Sequence, residues 1–455
     1  MTAQASEPRF FPGYAKSEEA AMGLPPRPDL NRLEMGIGFM LNPTRFLDKC
    51  HQRCGDWFTF RPAPERRIVV TCDPAAVKQV FTGDPNLLHA GKGNEILAPI
   101  LGSASTLLLD GDEHTRHRKL LLPPFHGRRM RSYERVVVEA AERHIGAWPR
   151  TGTFPSLPTM QAITLEVITR AVLGVEDPER RLEVSAPLRR LLDLIGSRAR
   201  VASLILAGNR TGPRSPWGKL MAARADANQV LNEEIAARRA DPGSEERDDI
   251  LSMLLAARDD EGNPLSDAAL RDELVTLLVA GHETTATGLA WSLERLTRTP
   301  SVLATLESEQ RTGRPEYLDA VVRETLRLRP VVPAVARSLQ QPMRIGPWDL
   351  PAGVHIAPSI YLLHRRADIY PQPLAFRPER FLGDDVPGTY EWIPFGGGVR
   401  RCLGASFAMF EMKTVLSVLL RERALKPAPG RRPESVTRRA ITHAPSRGAR
   451  IALTA

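Results

Sequence analysis

The chain has 455 residues, 42% of them hydrophobic and 25% charged, a composition that excludes wholesale disorder, collagen-like repeats and a polytopic membrane protein. The net charge is 62 − 53 = +9, yet the arginines are scattered, and clusters as short as Arg128-Arg129-Met130-Arg131 exclude a nucleic-acid-binding arm. Cys50, Cys54, Cys72 and Cys402 are the four cysteines, too few for a disulfide scaffold and consistent with a reducing, cytoplasmic compartment.

Taken in chain order, residues 1–23 hold no apolar run suited to a signal peptide or membrane anchor and read as a flexible leader. Leu24-Pro25-Pro26-Arg27-Pro28 is a stiff, extended entry. Helical periodicity follows over 44–54, 112–122, 127–148, 159–173, 182–205, 217–238, 247–257, 267–298, 301–311, 314–328 and 403–421. Strand-like runs are short: Trp57–Arg61, Ile68–Thr71, Met343–Ile345, His355–Ala357, Ala440–Thr442 and Ala449–Leu453. They fall in an early and a late group, so the chain is not a repeating βαβ unit. The expected fold is mainly α with a small β region made by both ends, in a single domain over 24–455. Gly83–Ser105 and Leu206–Trp217 read as loops.

The strongest chemical signal is Phe395-Gly396-Gly397-Gly398-Val399-Arg400-Arg401-Cys402-Leu403-Gly404. Glycines free the backbone, and the cysteine sits at the mouth of an apolar helix, where backbone N–H groups and arginines favour a thiolate. That suits a nucleophile or a metal ligand. A phosphatase loop would need arginine six positions on, where Ala408 stands. A cysteine hydrolase would need a histidine from anywhere in the chain, and a zinc site needs companion ligands that are not close by. A lone thiolate suits an iron already held by four other atoms, as in haem. Without its context, Cys402 would read as a buried cysteine in a Gly-rich turn.

Ala280-Gly281-His282-Glu283-Thr284-Thr285 lies in the long 267–298 helix, which at 1.5 Å per residue spans roughly 48 Å. Its mid-helix glycine and threonines are costly, because hydroxyls divert backbone hydrogen bonds and open a local groove. Glu324-Thr325-Leu326-Arg327 puts Glu and Arg on one helix face, with Pro330 and Phe376-Arg377-Pro378-Glu379-Arg380-Phe381 following. His114-Thr115-Arg116-His117-Arg118 has no further ligand spaced to make it a metal site.

Together and in this order, these segments resemble the cytochrome P-450 family, and the resemblance covers roughly residues 24 to 455. Phe395, Gly398, Arg400, Cys402 and Gly404 match the haem-loop pattern. The resemblance implies a haem-thiolate monooxygenase that inserts one oxygen atom from O2 into a hydrophobic small molecule: a terpenoid, steroid, fatty acid or polyketide. By it, Cys402 ligates haem b iron and Phe395 shields the sulfur. His114, Arg118, Arg337 and Arg400 hold propionates, and Ala280 and Gly404 border the cofactor. Glu283 and Thr284 deliver protons to bound oxygen, while Glu324, Arg327 and Arg380 form a structural network. Substrate contacts fall by family position on Leu87, Ile96, Leu204, Leu277, Gly281, Val332, Val335 and Thr442. Arginine at 400 departs from the histidine usual in soluble bacterial members.

No GxGxxG nucleotide fingerprint occurs, so electrons come from NAD(P)H through a separate ferredoxin or flavodoxin and its reductase. Arg400, Arg401, Arg116 and Lys413 are expected to border the docking face, and electron transfer to fall steeply with salt. The enzyme is expected to act as a monomer without a membrane anchor. The alternatives are a peroxide-driven or decarboxylating enzyme, a non-catalytic haem-thiolate sensor, and a haem-free scaffold. The Glu283–Thr284 pair argues against the first.

Overall fold

The computed structural model describes residues 23–453 apart from 31–37, 39–41, 64–65, 126–128, 197–199, 201–202, 205–211, 314, 427–431 and 440. The expected leader therefore lies outside the described residues except at Gly23, as do the first half of the Leu206–Trp217 loop and Ala440.

Helices dominate. The longer ones are α1 (Pro43–Cys54), α2 (Pro74–Thr82), α3 (Gly111–Leu121), α4 (Arg129–Gly146), α5 (Leu157–Leu173), α6 (Pro178–Gly196), α7 (Pro216–Ala240), α8 (Ile250–Ala256), α9 (Asp267–Arg298), α10 (Pro300–Thr312), α11 (Glu316–Leu328) and α12 (Ala405–Glu422). Proline occupies one of the first two positions of α1, α2, α5, α7 and α10, where its missing N–H forfeits no helical hydrogen bond. The sequence reading lacks α2. Asp73 caps it through the N–H groups of Ala75 and Ala76, and Ala76, Val77, Val80 and Phe81 form its buried face.

The axis of the molecule is α9. The Ser266 hydroxyl accepts from Ala269 N, Asp267 opens the helix, and Arg295 and Arg298 close it, as the helix dipole favours. Its residues are buried on most sides, packed against α5, α11, α12 and the C-terminal strands. Leu274, Val275, Leu278, Leu289 and Leu293 join one large apolar core shared with α4, α5, α11 and α12.

Strands are short: β1 (Trp57–Ala63), β2 (Arg66–Thr71), β3 (Leu88–His89), β4 (Gly152–Pro155), β5 (Arg337–Leu339), β6 (Met343–Ile345), β7 (Trp348–Leu350), β8 (His355–Pro358), β9 (Leu425–Lys426), β10 (Val436–Arg439), β11 (Thr442–Pro445) and β12 (Arg450–Leu453). The main sheet runs β1-β2-β8-β5-β3, with β2 and β8 parallel and Val69 opposite Ile356. It joins the early and late groups over a second apolar core containing Phe58, Phe60, Val69 and Ile356. A three-stranded sheet pairs β12 with β4 and β9. Of the expected strand at Ala440–Thr442, Thr442 opens β11 opposite Arg439 of β10, and Ile441 lies in the turn before it.

Candidate active site

The Cys402 loop lies between α2 and α12. Gly398 has φ +63°, and a Cβ there would meet the Phe81 carbonyl oxygen at 1.8 Å. At Gly397 an added Cβ would lie 2.5 Å from the Phe81 ring. These glycines thus let the loop close onto α2, the helix absent from the sequence reading. Cys402 N donates to Phe395 O at 3.0 Å, which curls the loop around the sulfur. Ala408 N then donates to Gly404 O at 2.8 Å and starts α12. The Cys402 side chain is reachable by solvent, although the surrounding protein pushes its thiol pKa up. Both hold together when the sulfur faces a space inside the molecule. The Gly404 N–H, Arg118 and Arg401 act the other way and favour the thiolate.

Facing the same region are His114 and Arg118 of α3, Arg337 of β5 and Arg400. Burial, then Arg400, Arg118 and Arg337, pull His114 down to about 3. Burial and Arg400 lower Arg337 to about 10, and burial lowers Arg400 to about 10. Arg337 donates to Ala336 O at 2.9 Å and lies over the Phe81 ring. Arg118 donates to Arg401 O at 2.7 Å. Arg400 points inward, to Thr106 O at 3.1 Å, Asp110 Oδ1 at 2.6 Å and Leu109 O. Asp110 is the carboxylate bonded into this cationic group. It also accepts from Gly91 N at 2.8 Å and Lys92 N at 3.1 Å. Three guanidiniums and an imidazole around one carboxylate are undercompensated, which suits a ligand bearing further carboxylates.

On α9, Leu277, Ala280, Gly281 and Thr284 are accessible although mid-helix. Along the same stripe, Glu273 and Gly288 are buried, so both ends are covered. This bounded accessible stripe, the reachable thiol and the cationic group together fit a flat, apolar, dianionic cofactor such as haem. Thr284 Oγ1 donates to Ala280 O at 2.5 Å, and α9 stays unbroken through the motif. The expected groove is thus a run of small side chains beside a diverted hydroxyl, with no opened helix. The Glu283 side chain is largely covered, with 16% of it exposed. Its carboxylate accepts from Gln161 Nε2 at 2.7 Å and pairs with Arg439 Nε at 2.8 Å. Burial raises its pKa against the opposing pull of Arg439 and Gln161. His282 turns to α5, where it meets the Thr164 hydroxyl at 2.9 Å.

Glu324, Arg327 and Arg380 come together. Arg327 grips both oxygens of Glu324 at 2.6 and 2.8 Å, and Arg380 Nε lies 3.5 Å from Glu324. Arg327 also donates to the carbonyls of His364, Pro373 and Ala375, and Arg377 N donates to Glu324 at 2.9 Å. His364 Nε2 accepts from Ile393 N at 2.9 Å, which ties this network to the approach to the Cys402 loop.

The eight positions offered for substrate divide. Ile96 is 65% exposed; Leu87, Leu204, Leu277, Val332 and Val335 are partly accessible. Gly281 is partly accessible too, and an added Cβ there would lie 2.9 Å from Ile168 of α5, so its missing side chain also lets the two helices approach. Thr442 requires correction: it is buried, and its hydroxyl donates to Arg439 O at 2.8 Å across the hairpin bend. Among the described residues of that bend, Ile441 is exposed. The expected docking cations are mostly engaged. Arg116 pairs with Asp259, Lys413 with Asp319 and Arg400 with Asp110, while Arg401 stays exposed beside Cys402.

Asp110, Gln161 and Arg439 escaped the sequence reading. Asp110 had a local signal, as an Asp-Gly step at a helix start. Gln161 and Arg439 had none, since they reach Glu283 only through tertiary packing.

Fold and site together define a haem-thiolate oxygenase. The sequence profile of the family Cytochrome P450 matches residues 25–450. The chain belongs to this family, whose members are haem-iron monooxygenases with a cysteine thiolate ligand that take electrons from redox partners. The Mycobacterium tuberculosis protein named cytochrome P450 135B1 is 43% identical over 443 residues, covering 96% of this chain and 92% of its own length. Cytochrome P450 135A1 of the same organism is 38% identical over 436 residues, covering 95% of each chain. Among solved structures, cyanobacterial CYP120A1 bound to retinoic acid superposes with a TM-score of 0.81 at 28% identity, covering 94% of this chain and 99% of its own. The haem domain of cytochrome P450DA gives 0.78 at 24% identity, covering 90% and 92%, a likeness of fold. Among the described residues, no helix is long and apolar enough to cross a membrane.

Proposed function

We propose that this monooxygenase oxidises an apolar small molecule of terpenoid type, with electrons passed from NAD(P)H through a separate ferredoxin or flavodoxin in the cytoplasm. The observation that carries the reading is the bounded stripe of Leu277, Ala280 and Thr284 on a mostly buried helix, with partly accessible Leu87, Val332 and Val335 among the aliphatic positions offered for substrate. Aliphatic walls without charges select by shape and apolar area. The structural likeness to a protein that holds retinoic acid, an isoprenoid, favours terpenoids over the steroids, fatty acids and polyketides that the wall would also admit.

The residues divide the work. Cys402 supplies the thiolate ligand, with the Gly404 N–H and neighbouring arginines stabilising its charge and Phe395 beside the loop. Arg118, Arg337, Arg400 and His114 would hold the propionates of the cofactor, with Arg400 now bonded to Asp110. Bound haem supplies oxygen activation, which the thiolate favours by donating electron density. Thr284 presents its hydroxyl oxygen on the accessible stripe. Glu283, one position earlier and largely covered, holds the proton that resupplies it. Arg401, exposed beside the thiolate loop, marks the docking side for the acidic electron donor.

A ferrous–CO difference spectrum, followed by titration with terpenoids, tests the reading. The wild type should show the thiolate-type Soret band, and Cys402→Ser should lose it; an unchanged band in the variant refutes the ligand. A terpenoid that shifts the haem spectrum and yields an oxygenated product supports the substrate class. Response to fatty acids alone would reassign it.

A further inference from the structure

Asp110 stands at the N-cap of α3, yet its side chain makes no capping hydrogen bond to that helix. An aspartate in this place ordinarily accepts from the second or third N–H of the helix, which stabilises it by about 1 kcal/mol. Here the carboxylate turns toward the propionate pocket instead. It accepts from Gly91 N at 2.8 Å and Lys92 N at 3.1 Å, and it pairs with Arg400 Nη2 at 2.6 Å. His89 Nδ1 lies 3.6 Å away. The approach is so close that a Cβ on Gly91 would lie 2.7 Å from Asp110 Oδ2. The Asp110 and Arg400 side chains are only 12% and 9% exposed, so little water screens the pair.

Arg118, Arg337 and Arg400 bring three positive charges to this pocket. His114, pulled down to about 3, brings none near neutral pH. Lys92 offers only its N–H, because its ammonium reaches Gln340 Oε1 at 2.6 Å. Among the described residues, Asp110 is the carboxylate that pairs with the group, and its charge also favours the cationic form of Arg337. With the two propionates of haem in the pocket, three guanidiniums meet three carboxylates, and one of these belongs to the protein. Arginine at 400 brings a permanent charge, and Asp110 offsets it.

We propose that Asp110 is a positioning residue that holds Arg400 in the propionate pocket and, as the pocket's own carboxylate, sets the reduction potential of the haem. The inference rests on the haem-thiolate reading and deepens it. Reduction adds an electron to the cofactor, so a fixed negative charge beside it favours the ferric state over the ferrous.

The test measures the haem midpoint potential by spectroelectrochemical titration at pH 8, where imidazoles of ordinary pKa are neutral. Asp110→Asn keeps the shape of the side chain and removes its charge. The ferric–ferrous equilibrium of this variant should move toward ferrous by on the order of tenfold, a rise of about 59 mV. Arg400→Gln should move it the opposite way, and the double variant should lie closer to the wild type than either single one. A merely structural role at the start of α3 would lower Tm without this opposition of sign. An Asp110→Asn potential equal to that of the wild type, or a double variant that keeps the full rise, overturns the inference. The thiolate-type CO band keeps the two readings apart. A wild type without the band refutes the haem-thiolate reading, whereas a band with an unmoved potential refutes only the role of Asp110. Should Asp110→Asn fail to fold, crystals of the wild-type holoenzyme decide: Asp110 within ion-pair distance of Arg400 supports the inference, and a carboxylate turned back to cap α3 overturns it.

Discussion

The Cys402 side of the site is fixed by polar contacts that leave its backbone little freedom, whereas the α9 side is walled by side chains that touch one another mainly through apolar area. On the first side, Arg327 alone joins Glu324, His364, Pro373 and Ala375, and His364 passes the connection to Ile393. On the second, Leu277, Val332 and Val335 need only be aliphatic and about the right size, and Ile96 and Ile441 stand exposed. Directional bonds permit few substitutions. Apolar packing permits many, provided volume is kept. One face can thus hold a constant chemistry while the other changes its substrate.

The sharpest way to break this contrast is Arg327→Leu. Removing one partner of a fully buried pair costs about 3–5 kcal/mol, and here three backbone carbonyls also lose their donor. Set against a total stability of about 5–15 kcal/mol, the expected outcome is chain that neither folds cooperatively nor takes up haem. Circular dichroism melting and the CO spectrum check it. A variant with wild-type Tm would show that the network is dispensable. Conversely, Val335→Leu should leave both measurements nearly unchanged and alter only which compounds shift the haem spectrum.

That division also explains what could be read in the chain beforehand. The Cys402 loop and the Glu324–Arg327 pair were legible because directional chemistry demands fixed residue types at fixed local spacing. Long helices such as α9 and α5 were legible from periodicity. α2 has only a short signal, Asp73-Pro74 and the apolar positions that follow. The substrate wall is legible only as aliphatic composition, and one of its proposed members, Thr442, is buried. Gly281 also serves the close approach to Ile168, and Thr442 closes a hairpin. Which partners reach Glu283 depends on how α5 and β10 pack against α9, and no local pattern records that.

Thr284→Ala probes the boundary between the two faces. The thiolate side is untouched, so the CO spectrum should match the wild type. Proton delivery should fall by on the order of 10²-fold, with NAD(P)H consumption continuing, product declining and peroxide appearing. Full coupling between NAD(P)H and product would remove Thr284 from the proton path.

The smallest expected effect is also the most specific. Arg439 comes from the hairpin that carries Ile441, yet its guanidinium pairs with Glu283 at 2.8 Å. Burial favours the neutral acid, and Arg439 favours the carboxylate. Arg439→Leu removes the second influence, so the Glu283 pKa rises and the group stays protonated to higher pH. If the protonated acid supplies the proton, the alkaline limb of kcat moves to higher pH, while kcat at the optimum changes by less than about tenfold. Gln161→Leu should move the limb the same way, because Gln161 too stabilises the charged form. A limb that stays in place in both variants would assign it to another group and leave the hairpin without influence on proton delivery.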